Sequence, residues 1–348
     1  MNIRRKIKEK TLKTRIKHQV SSRMSIGMDR PSGRVLVTGA LGQIGTELVE
    51  ALREKHGHKA VIATDIRESK GCQILDVMDK EGIEKLVHGE NITEIYHLAA
   101  LLSATGEKNP ELCWKINVIG LENVISAAKK NNARLFSPSS IAVFGPDCPK
   151  IAPQITPLNP TTVYGKTKVV GEQLAITSGI DMRGIRYPGL ISYKAPAGGG
   201  TTDYAVEIFH AALENGHYDC FVREDTRLPM MYMDDAIRAT LELMDFPLED
   251  LSEARGGYNI SGCSFTAKAL VESIQRHLPH FTCTFNPDIR QTYADSWPDE
   301  IQDDVAYNEW GWKANFDLDK IVDDMLENLK ISERAATRSS GGSGDGSF

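Results

Sequence analysis

The sequence predicts an α/β chain, in which a doubly wound parallel sheet is followed by a smaller α+β lobe. Three observations predict it. Short apolar runs alternate with stretches of helical periodicity from residue 34 to about 192, the order that gives a parallel sheet covered on both faces. The stretch "RVLVTGALGQIG" (34–45) joins the first such run to the first helix through Gly39, Gly42 and Gly45, spaced three apart. After about 192 the alternation stops at a glycine-rich break, "APAGGGTTD" (195–203), and the pattern becomes irregular.

The elements follow from the periodicity. Val35–Val37 reads as the first strand, and Ile44, Leu48, Ala51 and Leu52 then recur at helical spacing. Val61–Ala63 gives a second strand, Ile83, Leu86 and Val87 a short helix, and "EIYHLAA" (94–100) another strand. Val118, Leu121, Val124, Ile125 and Ala128 mark a longer helix before "RLFSPSS" (134–140). A helix is expected over about 161–178, with "MRGIRYPGLI" (182–191) as strand and turn after it. In the second half, helices are expected at 203–215 and 234–246, a strand at "GYNISG", and a helix whose apolar stripe is Leu270, Ile274 and Leu278.

Composition narrows the function classes. The 348 residues are 41% hydrophobic and 25% charged, and no apolar run approaches the ~18–20 residues that span a bilayer. A soluble chain with no membrane partner is therefore expected. Six cysteines are scattered without a CxxC pair, and there is no HExxH, so free thiols in a reducing compartment and no metal are expected. His56 and His58 in "REKHGHKA" read as a solvated helix end. Residues 1–30 hold ten Lys/Arg against Glu9 and Asp29, although the whole chain has a net charge of −6. The acidic body argues against nucleic acid as a partner. The basic, acid-poor segment 1–33 reads either as a mitochondrial presequence or as a solvated basic arm in a cytoplasmic protein. The Gly/Ser-rich end is expected to be a flexible tail over 331–348.

In a strand–turn–helix context the three glycines have separate jobs. Gly39 permits a tight turn, Gly42 lets backbone N–H groups approach a pyrophosphate, and Gly45 lets helix and strand pack closely. The helix N-terminus supplies unpaired donors and partial positive charge to the anion. Asp65, in "VIATDIR" at the end of the second strand, lies twenty residues beyond Gly45. A carboxylate there accepts hydrogen bonds from adenosine ribose hydroxyls and repels a 2′-phosphate, which favours NAD over NADP; Arg67 close by is the opposing feature. These features make 34–192 an NAD-binding Rossmann domain and 193–330 a substrate-binding lobe.

"TTVYGKTKVVGEQL" places Tyr164 and Lys168 four apart, hence on one helical face. Oxidising an alcohol requires removing the hydroxyl proton as hydride leaves. A tyrosine takes that proton if a neighbouring ammonium and the cationic nicotinamide lower its pKa from ~10. A serine at the end of "RLFSPSS" would hydrogen-bond the reacting oxygen, and strand alternation leaves Ser139 and Ser140 as the candidates. Asp234 and Asp235 are candidates for the substrate ammonium or for a helix start. The "GGGTTD" segment reads as a source of free N–H groups for a carboxylate, or as a capped linker.

The set "TGALGQIG", "HLAA", "KINVIG", "SPSSIAVFG" and "YGKTK" resembles the extended short-chain dehydrogenase/reductases over roughly 34–330. The strings "PAGGGTTDYA" (196–205), "LPMMYMDDA" (228–236) and "ADSWPDEIQDDVA" (294–306) resemble the branch of that family that oxidises L-threonine at C3. The resemblance implies Ser140, Tyr164 and Lys168 as catalytic residues. It implies Gly39, Leu41, Gly42, Gln43, Ile44, Gly45, Asp65, Asp76, Val77, Leu98, Ala99, Ala100, Asn117 and Leu190, with Tyr164 and Lys168, along the cofactor. Ser103, Thr202 and Trp297, with Ser140 and Tyr164, would contact the substrate. It further implies a homodimer. A nucleotide-sugar epimerase or dehydratase, or an inactive NAD-sensing protein, are the alternatives on the same fold. Phe144 stands where many relatives carry tyrosine, which reads as packing.

Overall fold

A computed structural model describes residues 33–340; the basic segment 1–32 and the last residues, 341–348, lie outside the described residues. The first half lays down β1 (Arg34–Thr38), α1 (Gln43–His56), β2 (Val61–Asp65), β3 (Gln73–Ile74), α2 (Lys80–Gly89) and β4 (Ile92–His97). It continues with α3 (Ser103–Lys108), α4 (Pro110–Trp114), a π-helical turn at Lys115–Ile119, α5 (Gly120–Asn131), β5 (Arg134–Phe136), β6 (Ser139–Ser140), β7 (Ile151–Ala152) and α6 (Val163–Thr177). Then come β8 (Met182–Arg183), β9 (Ile185–Tyr187) and β10 (Gly189–Ile191).

β1 to β5 and β8 form a six-stranded sheet in the order β3-β2-β1-β4-β5-β8, every pair parallel. The order reverses between β1 and β4, the switch point beside which such sheets hold ligands. Strand alternation explains the double winding. Val35 and Val37 join Leu48 and Leu52 of α1 on one face, while Leu36 joins Ile83, Val87, Leu121 and Val124 of α2 and α5 on the other. Both faces are therefore apolar, and β2 is buried at every position.

Two of these strands break and resume. β6 continues β5, and β9 continues β8, with β9 pairing in parallel to β6 and to β13 (Tyr258–Asn259). Gly184 sits at the second break, where a Cβ would lie 2.6 Å from Gly256 O and 2.7 Å from Ser137 O. The stretch read as one strand and turn, 182–191, is thus three short strands, and the break is what brings the ends of β6, β9 and β10 over the switch point.

The second half holds α7 (Tyr204–Glu214), β11 (His217–Cys220), β12 (Arg227–Tyr232), α8 (Met233–Asp245), β14 (Cys263–Thr266), α9 (Ala267–His277) and β15 (Thr282–Phe285). It ends with α10 (Arg290–Ala294), β16 (Glu300–Ile301), α11 (Asp304–Trp310) and α12 (Leu318–Ser340). Two small sheets, β10-β12-β14 and β16-β7, join this lobe to the first, and a third, β11-β15, lies within it. One apolar cluster takes Cys113, Phe144 and Tyr164 from the first half and Phe209, Leu270, Trp297 and Met325 from the second. α12 continues to Ser340, so 331–340 are helical where the composition suggested a tail. All six cysteines are free, and among the described residues no helix is long and apolar enough to cross a membrane.

Candidate active site

The glycine loop is built as the spacing demands. Gly39 has φ +70, and a Cβ there would lie 2.6 Å from Ala99 N, so the loop backs directly onto the chain leaving β4. A Cβ on Gly45 would lie 2.8 Å from Ala40 Cα and collide with Gly39 O, which explains the close packing of α1 on β1. Gly42 is the N-cap of α1, no side chain caps this end, and the first turn holds no acidic residue. Its leading N–H groups remain available to an anion. Gln43 Nε2 is buried without a partner at this end. An uncapped helix start, an unpartnered amide and glycines that admit no side chain fit a dinucleotide pyrophosphate.

Asp65 ends β2 and is 6% exposed. It accepts from Leu41 N (3.1 Å), which ties it to the glycine loop, and from Arg67 N (3.1 Å), Nε (3.0 Å) and Nη2 (3.3 Å). Burial pushes its pKa up, but these hydrogen bonds prevail and hold it below the usual carboxylate value. Asp76 accepts from Met78 N (2.9 Å), and Val77 packs where a Cβ on Gly120 would touch its Cγ2. Leu98 donates its N–H to Thr38 O (3.0 Å), carrying Ala99 and Ala100 past the loop. Asn117 lies on the π-helical turn. It donates to Leu101 O (3.0 Å) and Thr167 Oγ1 (3.2 Å) and accepts from Leu101 N (2.8 Å). Asn117 therefore staples the chain after β4 to α6.

An open cleft lies over the switch point, with about 780 Å³ of space that includes the solvent at its mouth. Gln43, Ile44, Leu98, Ala100, Ser140, Tyr164, Lys168 and Leu190 line it together with Ser103, Thr202 and Trp297. Residues named from separate stretches of sequence between 43 and 297 thus converge on one cavity. Gly39, Leu41, Gly42, Gly45, Asp65, Asp76, Val77, Ala99 and Asn117 stand outside its lining.

Both serines line the cleft, and they differ in their partners. Ser139 is buried and donates to Glu172 Oε1 at 2.5 Å, whereas Ser140 hydrogen-bonds Tyr164. Ser140 Oγ also accepts from Ala142 N (3.2 Å). Tyr164 is seated by Thr162, the N-cap of α6, and by Glu107 Oε1, which accepts from Tyr164 N (3.2 Å). Lys168 Nζ lies 5.5 Å from the Tyr164 ring centre and donates to Pro138 O (2.8 Å).

The electrostatics differ from the simple expectation of a lowered phenol. Burial raises Tyr164 to about 12 against the lowering hydrogen bond from Ser140, and Lys168 does not offset it. Burial also lowers Lys168 to about 8. His97, which shares a 2.8 Å hydrogen bond with Thr38, is held at about 3 by burial and then by the Lys168 ammonium. His97 is therefore a neutral imidazole behind the site.

Around the substrate end, Ser103 Oγ and Thr201 Oγ1 are 3.2 Å apart, and Thr202 packs against Gly189, where a Cβ would lie 2.8 Å from it. The N–H groups of Gly199 and Gly200, read as free for a carboxylate, both donate to Asp203 Oδ2 at 2.7 Å. Asp203 thus folds the glycine strap rather than leaving it as an anion cradle. Asp235 is buried and accepts from Arg238 (2.7 Å), Asn315 N (2.7 Å) and Phe316 N (3.0 Å), so it is structural. Phe144 is fully buried with Arg186 stacked over its ring, 5.5 Å from the centre. Sequence reasoning missed His97, Glu107, Glu172 and Thr201. Their partners are far away in sequence, and only the helical spacing Tyr164–Lys168–Glu172 offered a signal.

A doubly wound sheet with an uncapped glycine loop and a Ser–Tyr–Lys cleft defines a dinucleotide-binding dehydrogenase or epimerase class. The chain belongs to the NAD dependent epimerase/dehydratase family, whose model matches residues 35–260. A monomeric L-threonine 3-dehydrogenase from a metagenome is 54% identical with a TM-score of 0.83, covering 86% of this chain and 99% of that one. L-threonine dehydrogenase from Phytophthora infestans is 44% identical with a TM-score of 0.83, covering 86% of this chain and all of that one. The mitochondrial L-threonine 3-dehydrogenase of Bos taurus is 44% identical over 316 residues, 87% of this chain and 84% of the relative.

Proposed function

We propose that this chain oxidises L-threonine at C3 with NAD, giving 2-amino-3-oxobutanoate and NADH. The observation that carries the reading is the convergence of Ser140, Tyr164 and Lys168 with Ser103, Thr202 and Trp297 on one cleft beside the glycine loop. The relatives named above support the substrate. Tyr164 takes the hydroxyl proton as its phenolate, Ser140 holds the reacting oxygen, and Lys168 adds positive charge on the same helical face. The dinucleotide, when bound, supplies the acceptor for the C3 hydride. Gly39 to Gly45 hold its pyrophosphate, and Asp65 its adenosine ribose. Trp297, 6% exposed, closes the methyl end of the substrate pocket.

The test is NADH formation with threonine, serine and UDP-sugars in parallel. Threonine-dependent absorbance is expected, and turnover of a UDP-sugar alone would overturn the assignment. Cofactor choice has its own test. Asp65→Ser removes the carboxylate that excludes a 2′-phosphate and frees Arg67. Titration should show NAD weakened roughly tenfold and NADP tightened, about 1.4 kcal/mol for each factor of ten. Tighter NADP than NAD in the wild type would refute the role given to Asp65.

The same reading includes a homodimer. Leu112, Trp114, Ile119 and Ile176 are large apolar side chains left more than a third exposed on α4, the π-helical turn and α6, and a second copy would cover them. Light scattering should give twice the 38.4 kDa chain mass, and Trp114→Asp should return it to a monomer; a wild-type monomer would remove the dimer. A mitochondrial address also belongs to this reading, supported by the Bos taurus relative and the basic segment 1–33, with the cytoplasm as the alternative.

A further inference from the structure

The face of α6 that carries Tyr164 and Lys168 carries Glu172 one further turn along. Glu172 is 9% exposed and makes three bonds to two strands. Its Oε1 accepts from Ser139 of β6 (2.5 Å) and from Arg186 Nε of β9 (2.8 Å), and its Oε2 accepts from Arg186 Nη2 (2.7 Å). Arg186 Nη1 in turn donates to Gln154 O (3.0 Å) and Asn259 Oδ1 (3.1 Å). Space for the carboxylate comes from Gly257, where a Cβ would lie 2.9 Å from Glu172 Oε2. A buried, bidentate carboxylate–guanidinium pair that also accepts from a serine is held rigidly.

We propose that Glu172 is a positioning residue for the reaction, clamping β6 to α6 through Ser139 so that Ser140 meets Tyr164. Ser139 and Ser140 are adjacent and point to opposite sides of β6. Holding Ser139 on Glu172 fixes which way Ser140 faces. It also fixes the strand's height along α6, because the clamp and Tyr164 are on the same helix. Slippage of β6 by one residue would exchange the two serines. The pair with Arg186 extends the clamp to β9, which pairs Ser139 with Arg186 and Ser140 with Tyr187 in register. The inference rests on the function proposed above only for its kinetic readout.

The experiment compares Ser139→Ala, Glu172→Gln and the double variant Glu172→Met/Arg186→Met for melting temperature, dinucleotide affinity and threonine turnover. Ser139→Ala leaves the ion pair intact. It removes one hydrogen bond to a buried carboxylate, so it is expected to melt modestly below the wild type and to keep its dinucleotide KM, with kcat down about tenfold, since small misplacement of a reacting group is costly. Glu172→Gln leaves Arg186 buried without its charge partner, so it should lose both stability and kcat. The double variant replaces the pair by apolar groups, so melting should recover while kcat stays low. Wild-type kcat in Ser139→Ala, or kcat that recovers with melting in the double variant, overturns the clamp. If the wild type makes no NADH from threonine, the substrate assignment falls. The clamp is then judged on the crystal structure of Ser139→Ala, where an unmoved Ser140–Tyr164 hydrogen bond overturns it.

Discussion

Tyr164→Phe is expected to bind the dinucleotide as the wild type does and to turn over threonine roughly 10²–10⁴-fold more slowly, the range that one general base contributes. The substitution removes a single oxygen from a buried ring, so the fold should be unaffected. The affinity should also hold, because the reading proposed above assigns the pyrophosphate to Gly39–Gly45 and the adenosine ribose to Asp65. The pH dependence follows from the same group. Burial holds the phenol at about 12 in the free chain, far above the unperturbed ~10. The proton-accepting phenolate is therefore the minor form, and the rate should rise as pH rises from 6 towards 9. Lys168, lowered to about 8 by its own burial, loses its charge above that value, so the rise should flatten there. Stopped-flow turnover against pH for wild type and variant is the measurement. A profile flat down to pH 6, or full activity without the hydroxyl, removes Tyr164 as the base.

Much of this site was legible because its chemistry sits at fixed local spacings. The glycine loop declares itself between an apolar run and a helical stripe, and its glycines are needed for reasons of space that backbone geometry now makes explicit. Tyr164 and Lys168 were readable because four residues make one turn of helix. Other features depend on which elements meet, and the sequence does not encode that locally. The choice between Ser139 and Ser140 turns on Glu172, thirty-three residues away in sequence. The Gly199 and Gly200 amides look free until Asp203 is seen to turn back on them. The stretch 182–191 reads as one strand and turn because its alternation is continuous. The break at Gly184 is set by Ser137 and Gly256 pressing from either side. Burial is a related case: a sequence shows that a lysine is near Tyr164, but not how deeply both groups are buried, which is what raises the phenol in the chain alone.

Gly39→Ala should abolish dinucleotide binding and destabilise the chain, whereas Gly57→Ala should leave dinucleotide binding intact. Both glycines have positive φ, +70 and +87, which L-residues rarely adopt, so both substitutions strain the backbone by about 1–3 kcal/mol. The difference is space. Around Gly57 nothing lies within 4 Å of the added Cβ, while at Gly39 it would lie 2.6 Å from Ala99 N and 2.8 Å from Ala99 Cα. Those are backbone atoms leaving β4, a strand paired along its length to β1, and they cannot give way as a flexible side chain would. The loop must move instead, which tilts the start of α1 away from the pyrophosphate and loosens the Leu41–Asp65 bond at its other side. Overpacking of this kind costs a further 1–3 kcal/mol or so, on top of the backbone strain at Gly39. Calorimetric titration should then show NAD affinity lost by at least about 100-fold in Gly39→Ala and unchanged in Gly57→Ala. Equal affinities in the two variants would mean that close contact between the glycine loop and β4 is not what forms the cofactor site.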